Sequence, residues 1–133
     1  MKIDHRLPTV QEYQTLRRFA GWHEMDNAAV ACALKHSIFS VVAVESNSVV
    51  GMARVIGDKG LYFYIQDVVV HPDYQSQKIG TALMQEVMHF IKTHAGSGAF
   101  VGLMAAKGLE TYYHHFGFTA RDINAPGMFQ VIK

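Results

Sequence analysis

Ile65-Gln66-Asp67-Val68-Val69-Val70-His71-Pro72-Asp73-Tyr74-Gln75-Ser76-Gln77-Lys78-Ile79-Gly80-Thr81-Ala82-Leu83-Met84 decides how this chain folds. Its opening is apolar and β-branched apart from Gln66 and Asp67, which predicts the end of a buried strand. Pro72 closes that strand, and His71 to Gln77 reads as a short loop. A helix follows, with Ile79, Leu83, Val87, Phe90 and Ile91 on one face and Gln85, Glu86, His89 and Lys92 on the other. Gly96 and Gly98 stop it, and Ala99 to Ala105 reads as a buried strand. A strand, a crossover helix and a second strand at this separation pair in parallel, so a βαβ unit lies at the centre of the fold.

Upstream of that unit, Ile38 to Glu45, Val49 to Ile56 and Leu61 to Val70 are rich in β-branched residues. They are separated by the turn signals Ser46-Asn47-Ser48 and Gly57-Asp58-Lys59-Gly60, so they predict an antiparallel meander. Met1 to Leu7 reads as a short edge strand. Thr9 and Glu12 have the spacing of a capping box, and Val10, Tyr13, Leu16 and Phe19 share one face of the helix it opens, which Gly21 ends. Asp26 is the N-cap candidate for a second helix whose Val30, Ala33 and Leu34 turn inward. Downstream, Lys107 to His115 reads as a short helix ended by Gly117. Phe118 to Arg121 and Met128 to Ile132 read as two final strands. The predicted class is α/β with an α+β mixed sheet, in the order β-α-α-β-β-β-α-β-α-β-β, and with helices flanking a central mixed sheet.

The 133 residues suit one domain spanning 1–133, and with half of them hydrophobic and 17% charged there is material for a core. A formal net charge of +1, with acids and bases interspersed, argues against a nucleic-acid partner. One cysteine, Cys32, excludes an internal disulfide framework and suits a reducing compartment. Lys2, Asp4, His5 and Arg6 leave no apolar signal region near the start, and no apolar run reaches the ~20 residues of a membrane span. A cytoplasmic protein with no membrane partner is the expectation. No metal is expected either. His89 and His94 do not share a helix face, His114 and His115 point in different directions, and no cysteine cluster supports them.

The loop that enters the central helix is where chemistry can reside. The first turn of a helix has backbone N–H groups without intrahelical acceptors and the positive end of the helix dipole, which together suit a pyrophosphate. Gly80 lets a ligand approach the backbone. Many βαβ loops bind nothing, and neither the dinucleotide fingerprint nor the P-loop pattern is present.

Val68 to Met84 nevertheless resembles the acetyl-CoA-binding motif of the GNAT superfamily of N-acetyltransferases, a strand followed by Q/R-x-x-G-x-G/A, here Gln75-Ser76-Gln77-Lys78-Ile79-Gly80. A second family motif, a short helix ending in F/Y-Y-x-x-x-G-F, matches Tyr112-Tyr113-His114-His115-Phe116-Gly117-Phe118. The predicted order of elements is also that of the GNAT fold, so the resemblance spans essentially the whole chain. This chain departs at Lys78, where the motif has its first glycine, at Ser76, and at Ala106, where the family carries an asparagine. The Lys78 side chain has three options: to crowd the pyrophosphate, to contact a phosphate, or to extend into solvent.

The resemblance implies acetyl-CoA as co-substrate, with Val68, Val69 and Val70 pairing with the pantetheine arm like an added strand. It places the pyrophosphate on the N–H groups of Gln75, Ser76, Gln77, Lys78, Ile79, Gly80 and Thr81. It implies a backbone N–H of that strand, at Val69, polarising the thioester carbonyl, and direct attack by an amine held beside it. Tyr113 matches the tyrosine that serves the departing thiolate. A phenol of pKa about 10 and a thiol near 8.5 differ by roughly 2 kcal/mol, so hydrogen bonding to sulfur suffices for that role. Asp67, interrupting an apolar strand, is the candidate base, with a structural carboxylate paired with Arg54 on the neighbouring strand or with backbone donors as the competing reading. His71 is the second candidate. Trp22, Asp26 and Arg54, with the loop from Arg121 to Phe129, lie where the family forms its acceptor cleft, although Asp26 is better accounted for as an N-cap. The acceptor is a small-molecule or peptide amine, and family members that pair through sheet edges or C-terminal strands make a homodimer one possible assembly. A non-catalytic acyl-CoA-binding or regulatory module with the same fold is the alternative.

Overall fold

The computed structural model describes residues 1–133 and divides into two compact units, Met1–Leu103 and Met104–Lys133. The first is built on one five-stranded sheet whose spatial order equals its chain order: β1 (Lys2–Asp4), β2 (Phe39–Glu45), β3 (Ser48–Gly57), β4 (Tyr62–Val70) and β5 (Phe100–Gly102). The first four strands pair antiparallel, and β4 pairs with β5 in parallel. Helix α3 (Ile79–His94) supplies the crossover that a parallel pair requires.

The helices ahead of the meander start where their caps dictate. Thr9 Oγ1 accepts the Glu12 N–H at 3.0 Å and the Glu12 carboxylate accepts the Thr9 N–H at 2.8 Å, opening α1 (Val10–Phe19). Asp26 Oδ2 accepts the Ala29 N–H at 3.0 Å at the start of α2 (Asn27–Lys35). Tyr13, Leu16, Val30 and Leu34 from these helices pack on Val42, Met52 and Val69 of the sheet. Helix α3 packs on β2, β3 and β4 with Ile79, Leu83, Met84, Val87 and Ile91 buried. Strand side chains alternate between faces. Consecutive burial of Val41, Val42 and Ala43 is therefore what a sheet covered on both sides demands.

Two features set the approach of α3. A Cβ on Gly51 would stand 3.1 Å from Leu83 Cδ1 and 3.2 Å from Ile79 Cγ2, so the missing side chain lets the first turns of α3 settle onto β3. Between β3 and β4, Asp58 Oδ1 accepts the N–H groups of Gly60, Leu61 and Tyr62 and ties the turn. Those bonds lower the Asp58 pKa, the bond from Tyr62 most.

Several expectations need correction. Ala33 is exposed, and only Val30 and Leu34 of α2 turn inward. Phe19 is half-exposed and packs on His71, ring centroids 4.0 Å apart. The strand expected over Ala99 to Ala105 shrinks to Phe100–Gly102, with Phe100 half-exposed, because it is an edge strand with β4 as its one neighbour.

The second unit contains one helix, α4 (Glu110–His114). The two strands expected at Phe118 to Arg121 and Met128 to Ile132 are not formed. Alternating apolar residues become a strand only where another strand supplies hydrogen bonds in register, and none does here. Around Asp122 the chain turns instead, with Ala125 N–H donating to Asp122 O at 2.9 Å and Arg121 Nε to Ala125 O at 2.6 Å. Met128, Phe129, Val131 and Ile132 are exposed.

Candidate active site

β4 runs from Tyr62 to Val70, yet β5 pairs with it only from Tyr62 to Tyr64. From Ile65 onward one edge of β4 has no strand beside it, which leaves backbone donors and acceptors for an extended ligand. The opposite edge pairs with β3 through a bulge: Met52 faces Val69 and Arg54 faces Gln66, so Asp67 and Val68 share the single position of Ala53. Asp67 has φ 58°, left-handed backbone inside a strand.

The amide directions follow from two bonds. His71 N–H donates to Val50 O on β3 at 2.7 Å, and Gln75 Nε2 donates to Val70 O from outside the sheet at 3.1 Å. Alternation then turns the Val69 N–H towards Met52, within the sheet, and those of Val68 and Val70 towards the open edge. The Val69 N–H, expected to face the thioester, thus points into the sheet, and the N–H groups that face the open edge are those of its two neighbours. Val69 contributes its side chain to the core under α1 and α2.

The loop after β4 is a 3-10 turn over Pro72–Gln77, and Lys78 stands between it and α3 with φ 61° and ψ 24°. The residue that takes the place of the motif glycine thus adopts the conformation glycine tolerates best. The helical ladder begins with Ala82 N–H donating to Lys78 O at 3.1 Å. Gln75, Ser76, Gln77 and Lys78 are exposed, and Gly80 and Thr81 are half-buried. The Ile79 side chain belongs to the core.

Asp67 is 3% exposed and fully engaged. Its Oδ2 accepts Tyr13 Oη and Arg54 Nε, each at 2.7 Å. Its Oδ1 accepts Gln66 Nε2 at 3.3 Å and lies 3.9 Å from Arg17 Nη1. The competing reading of Asp67, a structural ion pair with Arg54, is the arrangement observed. Arg54 also donates to Ser37 Oγ at 3.2 Å, so its guanidinium is spent inside the protein rather than presented to an acceptor. Burial, then the Asp67 charge and hydrogen bond, raise the Tyr13 pKa, and burial followed by the Asp67 charge raises that of Tyr64.

His71 Nδ1 accepts the Asp73 N–H at 3.1 Å, so the neutral ring carries its proton on Nε2 and has no free acceptor to serve as a base. Asp26 is occupied as the α2 cap. Trp22 is partly exposed with the Arg17 guanidinium 5.3 Å from its ring. No three His, Cys, Asp or Glu side chains converge into a metal-binding group. The sequence places Tyr13 in an apolar stripe and gives Arg17 no role, so neither contact with Asp67 is expected from it. The available signal was the i, i+4 spacing of a tyrosine and an arginine in a chain with a buried strand acid.

In the second unit, Tyr113 is buried on α4, edge-on to Tyr112 at 5.2 Å and to Phe118 at 6.3 Å. Phe118 N–H donates to Tyr113 O at 3.3 Å, which closes the turn through Gly117. Burial raises the Tyr113 pKa, with a smaller contribution from Tyr112, so the phenol stays protonated throughout the neutral range. Ala106, at the family's asparagine position, uses its carbonyl to accept the Leu109 N–H.

Comparison with known proteins places this geometry. A family model described as the acetyltransferase (GNAT) domain matches residues 8–129. The uncharacterized N-acetyltransferase ycf52 of Porphyra purpurea is 30% identical over 122 residues, covering 89% of this chain and 69% of that protein. Histone acetyltransferase TAP1 of Glycine max is 30% identical over 132 residues, covering 90% of this chain and 56% of that protein. Among solved structures, a probable acetyltransferase from meticillin-resistant Staphylococcus aureus superposes with a TM-score of 0.93 at 31% identity and 98% coverage of both chains. A GNAT family acetyltransferase from Streptococcus pneumoniae superposes with a TM-score of 0.82 at 26% identity, covering 99% of this chain and 98% of that one.

Proposed function

The chain belongs to the GNAT family of N-acetyltransferases, and from that premise we propose that it moves the acetyl group of acetyl-CoA to a primary amine by direct attack, with both substrates bound together. The unpaired stretch of β4 from Ile65 to Val70, leading straight into the first turn of α3, carries the reading. It offers what an acyl-CoA needs in the order it needs it: edge amides for the pantetheine arm, then a helix N-terminus for the pyrophosphate.

In this reading Val68 and Val70 hold the arm, and one of their N–H groups faces the thioester oxygen where negative charge develops. Gln75 keeps the loop against the end of β4, and Lys78, exposed at the helix start, adds a cation beside the phosphates. The amine nitrogen bonds to the acetyl carbon as the C–S bond breaks. The departing sulfur gains a proton, and Tyr113, kept neutral by burial, is its donor by family motif. Asp67 is buried and bonded to Tyr13, Arg54 and Gln66, and His71 Nδ1 accepts the Asp73 N–H, so the amine gives its proton to water, and water returns a proton to the Tyr113 phenolate. The acceptor is a small-molecule or peptide amine, and Trp22 is the partly exposed aromatic surface available to it.

Tyr113→Phe tests the assignment. In this variant kcat should fall by about tenfold to a hundredfold with the Kd for acetyl-CoA unchanged. An unaltered kcat would remove Tyr113 from the chemistry. For the assembly, the exposed Met128, Phe129, Val131 and Ile132 are the apolar surface a second copy would cover in a homodimer. No helix is long and apolar enough to cross a membrane. GCN5-related N-acetyltransferase 2 of Arabidopsis thaliana is named chloroplastic, so the cytoplasmic expectation does not extend to every relative.

A further inference from the structure

Within β4, Asp67 alone has left-handed backbone, a conformation that disfavours every residue except glycine and, less strongly, asparagine and aspartate. It is held there from three directions. Tyr13 on α1 and Arg54 on β3 both donate to Oδ2 at 2.7 Å, and Arg17 on α1 lies 3.9 Å from Oδ1. The two arginines are themselves anchored: Arg54 by Ser37 Oγ at 3.2 Å, and Arg17 by His23 O through Nε at 3.1 Å and Nη2 at 3.0 Å. The carboxylate side chain is 1% exposed and each arginine side chain 12%.

This grip coincides with the bulge, and the bulge decides which amides face outward. Strand amides alternate with a period of two, so one inserted residue exchanges the sides of everything beyond it. If β4 continued the register set by Arg54 and Gln66 without the bulge, Val68 would face Met52 and bond within the sheet, and Val69 would face the open edge. With the bulge the assignment is reversed.

We propose that Asp67 is a positioning residue: gripped by Tyr13, Arg54 and Arg17, its carboxylate locks the β4 bulge so that the Val68 and Val70 amides stay aimed along the open edge. Asp67 serves no proton transfer in this account, because both of its oxygens are committed. Its bearing on catalysis rests on the acetyl-CoA reading of that edge, while its bearing on the bulge does not.

The test uses the full chain with Asp67→Asn, which keeps the side-chain shape and tolerates left-handed backbone, and with Tyr13→Phe, which deletes one bond. Amide hydrogen exchange of the free protein is measured with residue resolution, and acetyl-CoA affinity by calorimetry. In the wild type the Val69 amide is protected and that of Val70 exchanges freely. Asp67→Asn lowers Val69 protection by about tenfold without changing Val41 or Val42, and Tyr13→Phe moves it the same way by about twofold to threefold. The Kd for acetyl-CoA rises by about tenfold in Asp67→Asn while the KM for the amine is unchanged. Unchanged Val69 protection in both variants overturns the proposal. So does loss of kcat, together with one limb of its pH profile, at unaltered Kd and protection, because that pattern belongs to a base. If the wild type fails to bind acetyl-CoA but Val69 protection still falls in the variants, the clamp stands and the acetyl-CoA reading fails.

Discussion

Lys78 occupies a left-handed position that glycine fills without cost, and nothing caps the helix from its side chain. Strain there is on the order of 1–2 kcal/mol, partly offset because glycine gives the unfolded chain more freedom. Lys78→Gly should therefore stabilise the protein by about 0.5–1 kcal/mol, read as a rise of a few degrees in Tm. A fall in Tm would mean that the lysine side chain holds the loop through contacts of its own. At this scale the sequence was legible where a residue's role depends on its neighbours in the chain. The Thr9–Glu12 box, the Asp26 cap and the strained place of Lys78 in its motif are all local. It was legible only in part for Asp67: Arg54 on the neighbouring strand was readable as a partner, whereas Tyr13 and Arg17 lie on another element, far away in sequence. A buried strand acid announces that something must neutralise it, without naming the donors that come from a distant helix.

Elements were legible where periodicity and turn chemistry agreed. Ser46 and Asn47 both adopt left-handed backbone between β2 and β3, and the Asp58 turn joins β3 to β4 where the Gly and Asp residues signalled it. Gly57 ends β3 at φ 149°, and a Cβ there would lie 2.0 Å from Tyr62 O. Gly57→Ala must therefore displace the β3–β4 hairpin and should cost about 2 kcal/mol or more, measured as a lower urea midpoint. A midpoint within error of the wild type would show that the hairpin gives way freely. The last two expected strands failed for a reason of the same scale. Phe118 to Arg121 and Met128 to Ile132 have strand composition, but strand formation is a property of a pair. No partner in this chain is in register with them.

For the whole molecule, the parallel β4–β5 pair and its crossover helix make the fold readable from one stretch of sequence, because right-handed βαβ geometry leaves few alternatives. What that stretch does not reveal is how soon β4 and β5 part company, and that parting creates the open edge. A global consequence of burial can be measured directly. Three of the six tyrosines, Tyr13, Tyr64 and Tyr113, have pKa values raised by burial. The folded state thus keeps protons that the unfolded state releases near pH 10, so stability holds below that value and falls as pH rises through the folded pKa values. Urea midpoints should agree between pH 7 and 9 and decline at about pH 10.5 and above. A midpoint that stays level there would contradict the burial of these phenols.

The central claim is acetyl transfer to an amine, and the direct measurement is mass spectrometry of products after the purified protein is incubated with acetyl-CoA and a panel of small-molecule and peptide amines. An acetylated amine should form together with stoichiometric free thiol, and both should be lost without the protein. Acetyl-CoA bound at the β4 edge with no amine in the panel acetylated would contradict it and favour a binding module that retains the fold.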